Sequence, residues 1–156
     1  MNKLTRIRKS ILLLASLSLG FLPLVNSFNG QEAQAQSVKC LDVSSRSGWQ
    51  SFDLGSPYTR IASVSGGWSV DARNYSRVGP QGHNEPGLEP YNQYKYDQKF
   101  PFGALFVDIP TDGYGYVSVR GSQQLPKPIT RTAMRINDAD NALGDNSGVL
   151  RVCFTR

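Results

Sequence analysis

The sequence has few of the residues that most often carry zinc sites and nucleophilic catalysis. Its 156 residues include two Cys and one His. Cys40 and Cys153 are too far apart in the chain to match the ligand spacing of a zinc site. With His83 as the single histidine and no Gly-x-Ser-x-Gly segment, nothing in the sequence indicates a Ser-His-Asp triad.

Long apolar runs are also scarce, and the one that is present lies near the start of the chain. Residues 11–25 are mostly apolar, follow a basic head and precede the triplet Ala33-Gln34-Ala35. This layout is typical of a secretory signal with an A-x-A cleavage site. The run contains Pro23 and is shorter than the roughly 20 residues of a spanning helix. We therefore predict a signal peptide over residues 1–35, with an uncleaved anchor as the alternative, and export to the periplasm, cell surface or medium.

The remaining chain has little excess charge. The formal net charge of the whole sequence is +5, but residues 36–156 hold 13 basic and 11 acidic side chains, a net charge of +2. A protein that binds nucleic acid usually carries a strongly basic surface. We therefore expect no nucleic-acid partner. No later segment is long or apolar enough to cross a bilayer, so we expect no membrane span after signal cleavage and one domain over residues 36–156.

The two cysteines lie near the two ends of the exported part. An even pair in an oxidising compartment is most simply a disulfide, and Cys40–Cys153 is the predicted bond. Two free buried thiols are the alternative. A bond between these positions would place the first and last strands side by side.

Short segments of alternating character predict an all-β protein. Met134 and Ile136 share one face and Arg135 takes the other, which is the pattern of a strand with one buried and one wet face. Pro110 to Gly113 reads as a hairpin turn between two such segments. We predict a small antiparallel β-sandwich of two sheets, of the jelly-roll or galactose-binding type. Its strands are expected at residues 38–43, 60–65, 103–109, 114–120, 132–137 and 149–154.

Residues 79–99 differ from the rest of the chain. They contain three Pro, three Gly and the aromatics Tyr91, Tyr94 and Tyr96, with little apolar alternation. Loops of this length are uncommon inside a compact domain and are often functional. A surface excursion without function remains the alternative interpretation.

Residues 137–148 are the segment most suggestive of chemistry. They contain three carboxylates and three carboxamides between two predicted strands. Ca²⁺ takes six to eight oxygen ligands, and Gly144 and Gly148 would allow such a loop to wrap around one ion. The loop is not an EF-hand, since Leu143 and Val149 occupy the positions that require Gly and Glu when Asp138 is counted first. An ordinary solvated turn is the alternative.

Several stretches of sequence resemble the LecA-type calcium-dependent galactose-binding bacterial lectins. Asn137-Asp138 with the stretch from Gly144 to Gly148 resembles the calcium loop of that family. Three further stretches agree with the family in order and rough spacing: Val64 to Trp68, Gly79 to His83 and Gly103 to Val107. The resemblance covers about residues 60–156. It implies a small β-sandwich whose single Ca²⁺ coordinates two hydroxyls of the bound sugar.

The resemblance also implies the residues of the site. Asp138, Asp145 and Asn146 would supply side-chain oxygens to Ca²⁺, Ala142 would supply a backbone carbonyl, and a second carbonyl would come from near Asp71. The sugar contacts would then be His83 and Gln81, with Asp138 and Asp145 accepting hydrogen bonds from the sugar hydroxyls. The expected partner is a galactose-like glycan or polysaccharide.

The chain departs from the family pattern in two places. Asp145 stands where the family has a carboxamide, which adds negative charge and removes a donor to the sugar. The segment after His83 is longer than in the family, so the register of the sugar-contacting loop is uncertain.

Two other functions compete with glycan binding. Asp138 and Asp140 could be read as the carboxylate pair of a glycosidase, but residues two apart on one loop rarely flank a substrate. We therefore expect no enzymatic activity. The second alternative keeps calcium as a stabiliser of an exported structural or protein-binding module that binds no sugar. The sequence leaves the oligomeric state open.

Overall fold

Strands dominate the molecule, as the alternating segments predict. The computed structural model describes residues 37–110 and 113–156, so the predicted signal peptide and positions 111 and 112 of the predicted turn lie outside it. Two 3₁₀ helices, Pro86–Tyr94 and Leu143–Asp145, interrupt the strands. The all-β prediction is confirmed. The strands are β1 Val38–Ser44, β2 Gln50–Ser69, β3 Leu105–Ile109, β4 Gly115–Val119, β5 Gln123–Ile136 and β6 Ser147–Thr155.

The six strands belong to one antiparallel sheet, in the order β1-β6-β2-β5-β3-β4. The 20-residue β2 joins the two halves of the sheet, because it pairs with β5 through Gln50–Ile61 and with β6 through Arg60–Ser69. The predicted division into two separate sheets is therefore not confirmed. Buried side chains of β3, β5 and β6, such as Val107, Met134 and Phe154, belong to one core cluster. One sheet can enclose a common core only by folding over, and the irregular pairing of β2 allows this bend.

The two longest strands extend well beyond their predicted limits. Pro57 lies within the register shift between Asp53 and Tyr58, and two prolines of β5 lie between the paired residues Gln124 and Ile129. Proline and glycine are tolerated in strands where the ladder is interrupted. These residues predict turns locally, but here the chain continues in the same direction through bulges.

The predicted disulfide is present. Cys40 and Cys153 are bonded, and the described residues contain no free cysteine. The two residues face each other in the register of β1 and β6, with their Cα atoms 4.0 Å apart. The first and last strands are therefore neighbours, as the pairing implies. A loop of 113 residues closed in this way restricts the unfolded chain by about 4–5 kcal/mol in the entropic model.

The two 3₁₀ helices are short. Neither of them, within residues 37–110 and 113–156, has the length and apolar character needed to traverse a lipid bilayer.

Candidate functional site

A cleft of about 710 Å³ lies where three loops meet at one end of the sheet. The loop after β2 contributes Asp71 and Asn74, and the loop between β5 and β6 contributes Asp138, Ala142 and Asp145. These residues are far apart in sequence, but the end of β2 pairs with the start of β6, with Ser69 opposite Ser147, so the loop after β2 lies beside the loop that precedes β6. Apolar and aromatic side chains also line the cleft: Tyr75, Leu88, Tyr91, Tyr94 and Phe102.

The structure brings together most of the residues that the sequence singles out as ion ligands. Asp71, Asp138, Ala142 and Asp145 all line the cleft. Asn146 lies behind them, since its Nδ2 donates to Asp138 Oδ2 at 2.9 Å. The loop after β2 is tied to the acidic loop by a backbone hydrogen bond of 3.1 Å from Ala72 N–H to Asp145 O.

Asp138 is a buried carboxylate at the base of the cleft. Its side chain accepts hydrogen bonds from the backbone N–H of Ala139 at 3.0 Å and from Asn146 at 2.9 Å. The residue is 2% exposed, and this burial raises the pKa of its carboxyl to about 6 against the hydrogen bonds that favour the charged form. Keeping a buried carboxylate charged costs free energy when no positively charged partner is present. The Asp138 side chain is therefore a chemically suitable ligand for a cation.

The side-chain oxygen of Asn146 has no hydrogen-bond partner among the described residues. Its Nδ2 donates to Ser45 O and to Asp138, both at 2.9 Å, so both amide hydrogens are used. Its Oδ1 is buried and has no hydrogen-bond partner in the part of the chain that the structure describes. An unsatisfied buried acceptor costs free energy, and it is the kind of oxygen that a hard cation takes as a ligand.

Asp71 caps the turn that follows β2. Its carboxylate accepts hydrogen bonds from Arg73 N–H at 3.0 Å and from the Asn74 side chain at 2.5 Å, and the bond from Asn74 is the main reason that its pKa is lowered. Its carbonyl oxygen already accepts bonds from Ser69 Oγ and from the N–H of Tyr75. The backbone oxygen of Asp71 is therefore largely satisfied within its own turn.

Carboxylates alone do not form a close ion-binding group here. Among residues 37–110 and 113–156, no three His, Cys, Asp or Glu side chains lie close enough together to hold a metal ion. Carboxamide and carbonyl oxygens, such as those of Asn146 and Ala142, would have to complete any ligand set.

The two other predicted sugar contacts lie outside this cleft. His83 is buried, and its Nδ1 lies 3.1 Å from Glu85 Oε2, in a neighbouring pocket of about 310 Å³. Burial lowers the pKa of the His83 imidazole, against the opposing effect of Glu85. Gln81 is exposed and pairs through its backbone with Ala104. Neither side chain lines the cleft that contains Asp138.

The burial of Arg135 contradicts the prediction that the outer face of β5 is exposed to solvent. The side chain is 1% exposed, since Trp49 and Tyr96 cover its guanidinium, with the Tyr96 ring centroid 3.8 Å away. Its Nη2 donates to Asp138 O at 2.6 Å and to Asp140 Oδ1 at 2.8 Å. Period-2 alternation identifies the inner face but cannot show that a distant aromatic segment covers the outer one. Arg135 is thus an anchor of the acidic loop that the sequence pattern did not reveal.

Asn137 holds the segment beside this anchor. Its Nδ2 donates to the carbonyls of Asp97, Phe100 and Pro101, and its Oδ1 accepts a bond of 2.8 Å from Asp97 N–H. The residue is fully buried. Its place in the Asn137-Asp138 motif therefore has a structural explanation, namely attachment of residues 97–101 to the end of β5.

Replacing Arg135 with Lys is expected to loosen the acidic loop. Lysine keeps the charge but cannot reproduce the planar set of donors to the Ile136 and Asp138 carbonyls. Loss of these charged hydrogen bonds should lower the free energy of unfolding by about 2 kcal/mol or more, as measured by urea denaturation. The control is Asp140→Asn, which removes only an exposed ion-pair partner and should cost less than about 1 kcal/mol. Equal effects of the two substitutions would contradict the anchoring role.

Comparison with known proteins adds no family assignment. No protein-family model matches the chain, and no curated protein is similar to it at a significant level.

Proposed function

We propose that this protein is an exported, calcium-dependent binder of galactose-like glycans. The observation that carries the proposal is the convergence of Asp71, Asp138, Ala142 and Asp145 on one cleft. Beside them lies Asn146 Oδ1, which is buried without a hydrogen-bond partner among residues 37–110 and 113–156. The resemblance to the LecA-type lectins was drawn from local motifs in the sequence. The convergence is an independent reason to treat those positions as one site.

The residues at this end of the sheet fit a calcium ion in their chemistry. All candidate donors are oxygens, which hard cations prefer, and they include carboxylate, carboxamide and carbonyl groups. Asp138, Asp145 and Asn146 would hold the ion through their side chains and Ala142 through its carbonyl, with a further ligand from the loop around Asp71. When bound, Ca²⁺ would supply positive charge that attracts sugar hydroxyl oxygens and offsets the negative charge of the carboxylates.

The protein side chains would orient the sugar. A hydroxyl group both donates and accepts hydrogen bonds, whereas an ionised carboxylate only accepts them. Asp138 and Asp145 would therefore accept hydrogen bonds from neighbouring sugar hydroxyls. Asp138 is fixed by Ala139, Asn146 and the bond between its carbonyl and Arg135, so its acceptor direction is set before a ligand arrives. Selection among sugars would follow from the angle between adjacent hydroxyls.

Export is supported by the Cys40–Cys153 disulfide, because such bonds persist in oxidising compartments. We propose binding without turnover, since Asp140 is paired with Arg135 and is therefore not free to form a catalytic pair with Asp138. Turnover of aryl glycosides should accordingly be undetectable. We propose no nucleic-acid partner, and the oligomeric state stays open.

One observation favours a second candidate function. His83 and Gln81, the side chains that the resemblance assigns to the sugar, do not line the cleft. Asp145 also lacks the donor that the family carboxamide supplies. Both points favour a calcium-stabilised structural or protein-binding module that binds no sugar.

Thermal unfolding with and without ligands distinguishes the two functions. A ligand that binds only the folded state raises the unfolding midpoint by linkage. We expect the midpoint to rise with calcium relative to EDTA, and to rise again with galactose only when calcium is present. A calcium effect without a galactose effect would favour the structural module. Absence of any calcium effect would contradict both functions.

A further inference from the structure

Two half-exposed tyrosines line the same cleft as the carboxylates. Tyr91 is 51% exposed and Tyr94 is 43% exposed, and both line the cleft that contains Asp138 and Asp145. We call this pair the tyrosine wall. Tyrosine offers a large flat apolar face at a small cost in conformational entropy, and it is enriched where proteins bind ligands. The wall is thus an uncovered contact surface next to a polar site.

The tyrosine wall is held in place by its own segment. Both residues belong to the 3₁₀ helix Pro86–Tyr94, in which Pro86 and Pro90 restrict the backbone. Leu88, the third residue of the same helix, is buried in the core, so the helix packs on the core through this side chain. Such a wall would lose little freedom when a ligand binds.

A backbone hydrogen bond sets the distance between the tyrosine wall and the carboxylates. The N–H of Ala139 donates to the Tyr94 carbonyl at 2.7 Å, and Ala139 is the residue directly after Asp138. The helix that carries the wall is therefore joined to the acidic loop itself. A ligand group at Asp138 has the aromatic faces within reach on the same side of the molecule.

The two walls of the cleft suit two different parts of a carbohydrate. Hydroxyl groups of a sugar match the acceptor atoms of Asp138 and Asp145, whereas the C–H face of a sugar ring is apolar and matches an aromatic ring. The volume of about 710 Å³ is in the range of clefts that enclose drug-sized ligands, which leaves room for more than one ring.

We propose that the cleft binds a glycan of at least two sugar rings. The hydroxyls of the first ring lie at the carboxylates, and the C–H face of the second ring packs on Tyr91 and Tyr94. This inference rests on the proposed function, because it assigns the first ring to the site described there. It goes further by naming the residues that distinguish a disaccharide from a monosaccharide.

The test compares the affinities of methyl galactoside and a digalactoside by isothermal titration calorimetry, with the whole protein in saturating calcium. We expect the wild type to bind the disaccharide about tenfold more tightly, which is the size of effect that aromatic contacts of this kind produce. The double variant Tyr91→Ala/Tyr94→Ala should lose this ratio and keep its affinity for the monosaccharide. Because both side chains are half exposed, the variant should keep the unfolding midpoint of the wild type.

Two control variants separate ring contact from other effects. Tyr91→Phe/Tyr94→Phe retains both aromatic faces and should keep the ratio of the two affinities. Tyr114→Ala removes a tyrosine that is 46% exposed but does not line the cleft, and it should also keep the ratio. Loss of the ratio in the Phe variant would overturn the stacking role.

The remaining outcomes separate this inference from the function on which it depends. Equal affinities of the wild type for the two saccharides, with calcium-dependent binding of both, would overturn the tyrosine wall and leave the proposed function standing. Binding of neither saccharide, with the calcium effect on stability retained, would overturn both and point to a protein occupant of the cleft.

Discussion

Replacing Asp138 with Asn is expected to stabilise the calcium-free protein at neutral pH and to abolish its response to calcium. Burial raises the pKa of the Asp138 carboxyl from 3.8 to about 6, so the folded state is penalised for holding the charged form. This rise corresponds to about 3 kcal/mol, which sets the upper size of the gain at pH 7 in EDTA. Asparagine has nearly the same shape and no charge, but its amide nitrogen cannot accept one of the two hydrogen bonds that Asp138 receives from Ala139 and Asn146, which keeps the gain below this upper size. Urea denaturation of the two proteins measures the difference.

The pH dependence of that difference has a defined sign. Because the pKa of Asp138 is higher in the folded state, the folded protein retains this proton between about pH 4 and pH 6, where the unfolded chain has released it. The contribution of Asp138 to stability is therefore most favourable below about pH 4 and declines as the pH rises to about 6. The advantage of Asp138→Asn in EDTA should be close to zero near pH 4 and complete by pH 7.

Calcium should reverse the order of the two proteins if Asp138 is a ligand. The wild type should gain stability with added calcium, whereas Asp138→Asn should gain little, since the variant lacks the charge that attracts the ion. Asp140→Asn serves as the matched control, because Asp140 is two positions away and its carboxylate is bound to Arg135. An Asp138→Asn variant with the calcium affinity of the wild type would remove Asp138 from the ligand set.

Replacing Gly148 with Ala is expected to destabilise the fold severely. Gly148 has a φ of +103°, which L-residues rarely adopt, and it opposes Trp68 in the pairing of β6 with β2. A Cβ added there would lie 2.3 Å from the Gly67 carbonyl oxygen and 2.8 Å from the Trp68 Cα. Backbone atoms on both sides of the ladder would have to move. We expect a loss of at least about 3 kcal/mol in the free energy of unfolding.

Gly144→Ala is the matched control for this substitution. Gly144 lies in the segment that precedes β6, has no positive φ and would place its Cβ in open space. Its effect on stability should stay within about 0.5 kcal/mol. Chemical denaturation of both variants, together with calcium titration of any Gly148→Ala protein that folds, gives the comparison. Similar stabilities of the two variants would contradict the close approach of β6 to β2 at Gly148.

The strands show how far local sequence information extends. Leu150, Val152 and Phe154 alternate with exposed Arg151, and the structure buries the first three as the pattern predicts. The same reasoning was incorrect at Arg135, where the alternation is identical but the outer face is covered. Periodicity reports which side chains share a face. It does not report which distant segment packs on that face, because that depends on contacts with residues about 40 positions away, such as Tyr96.

The acidic loop shows the same limit at the candidate site. Its composition predicts an oxygen-rich loop, and the resemblance to the lectin calcium loop implies Asp138, Asp145 and Asn146 as ligands. The structure adds that Asn146 donates to Asp138 and that its Oδ1 has no hydrogen-bond partner among the described residues. The sequence did not predict that the side chains of His83 and Gln81 lie outside the cleft. The long segment after His83 has no strand pattern, so its path could not be inferred from local preferences.

The sequence by itself determined the all-β character with the approximate positions of six strands, the pairing of the two cysteines and the oxygen-rich character of residues 137–148. Each of these depends on neighbouring residues or on the simple count of two cysteines. Only the tertiary structure decided that β2 joins all six strands into one sheet, that Arg135 is buried and that the tyrosine wall lines the same cleft as the carboxylates. These features arise from packing between segments far apart in the chain, and burial of apolar and aromatic surface selects that packing for the whole molecule at once.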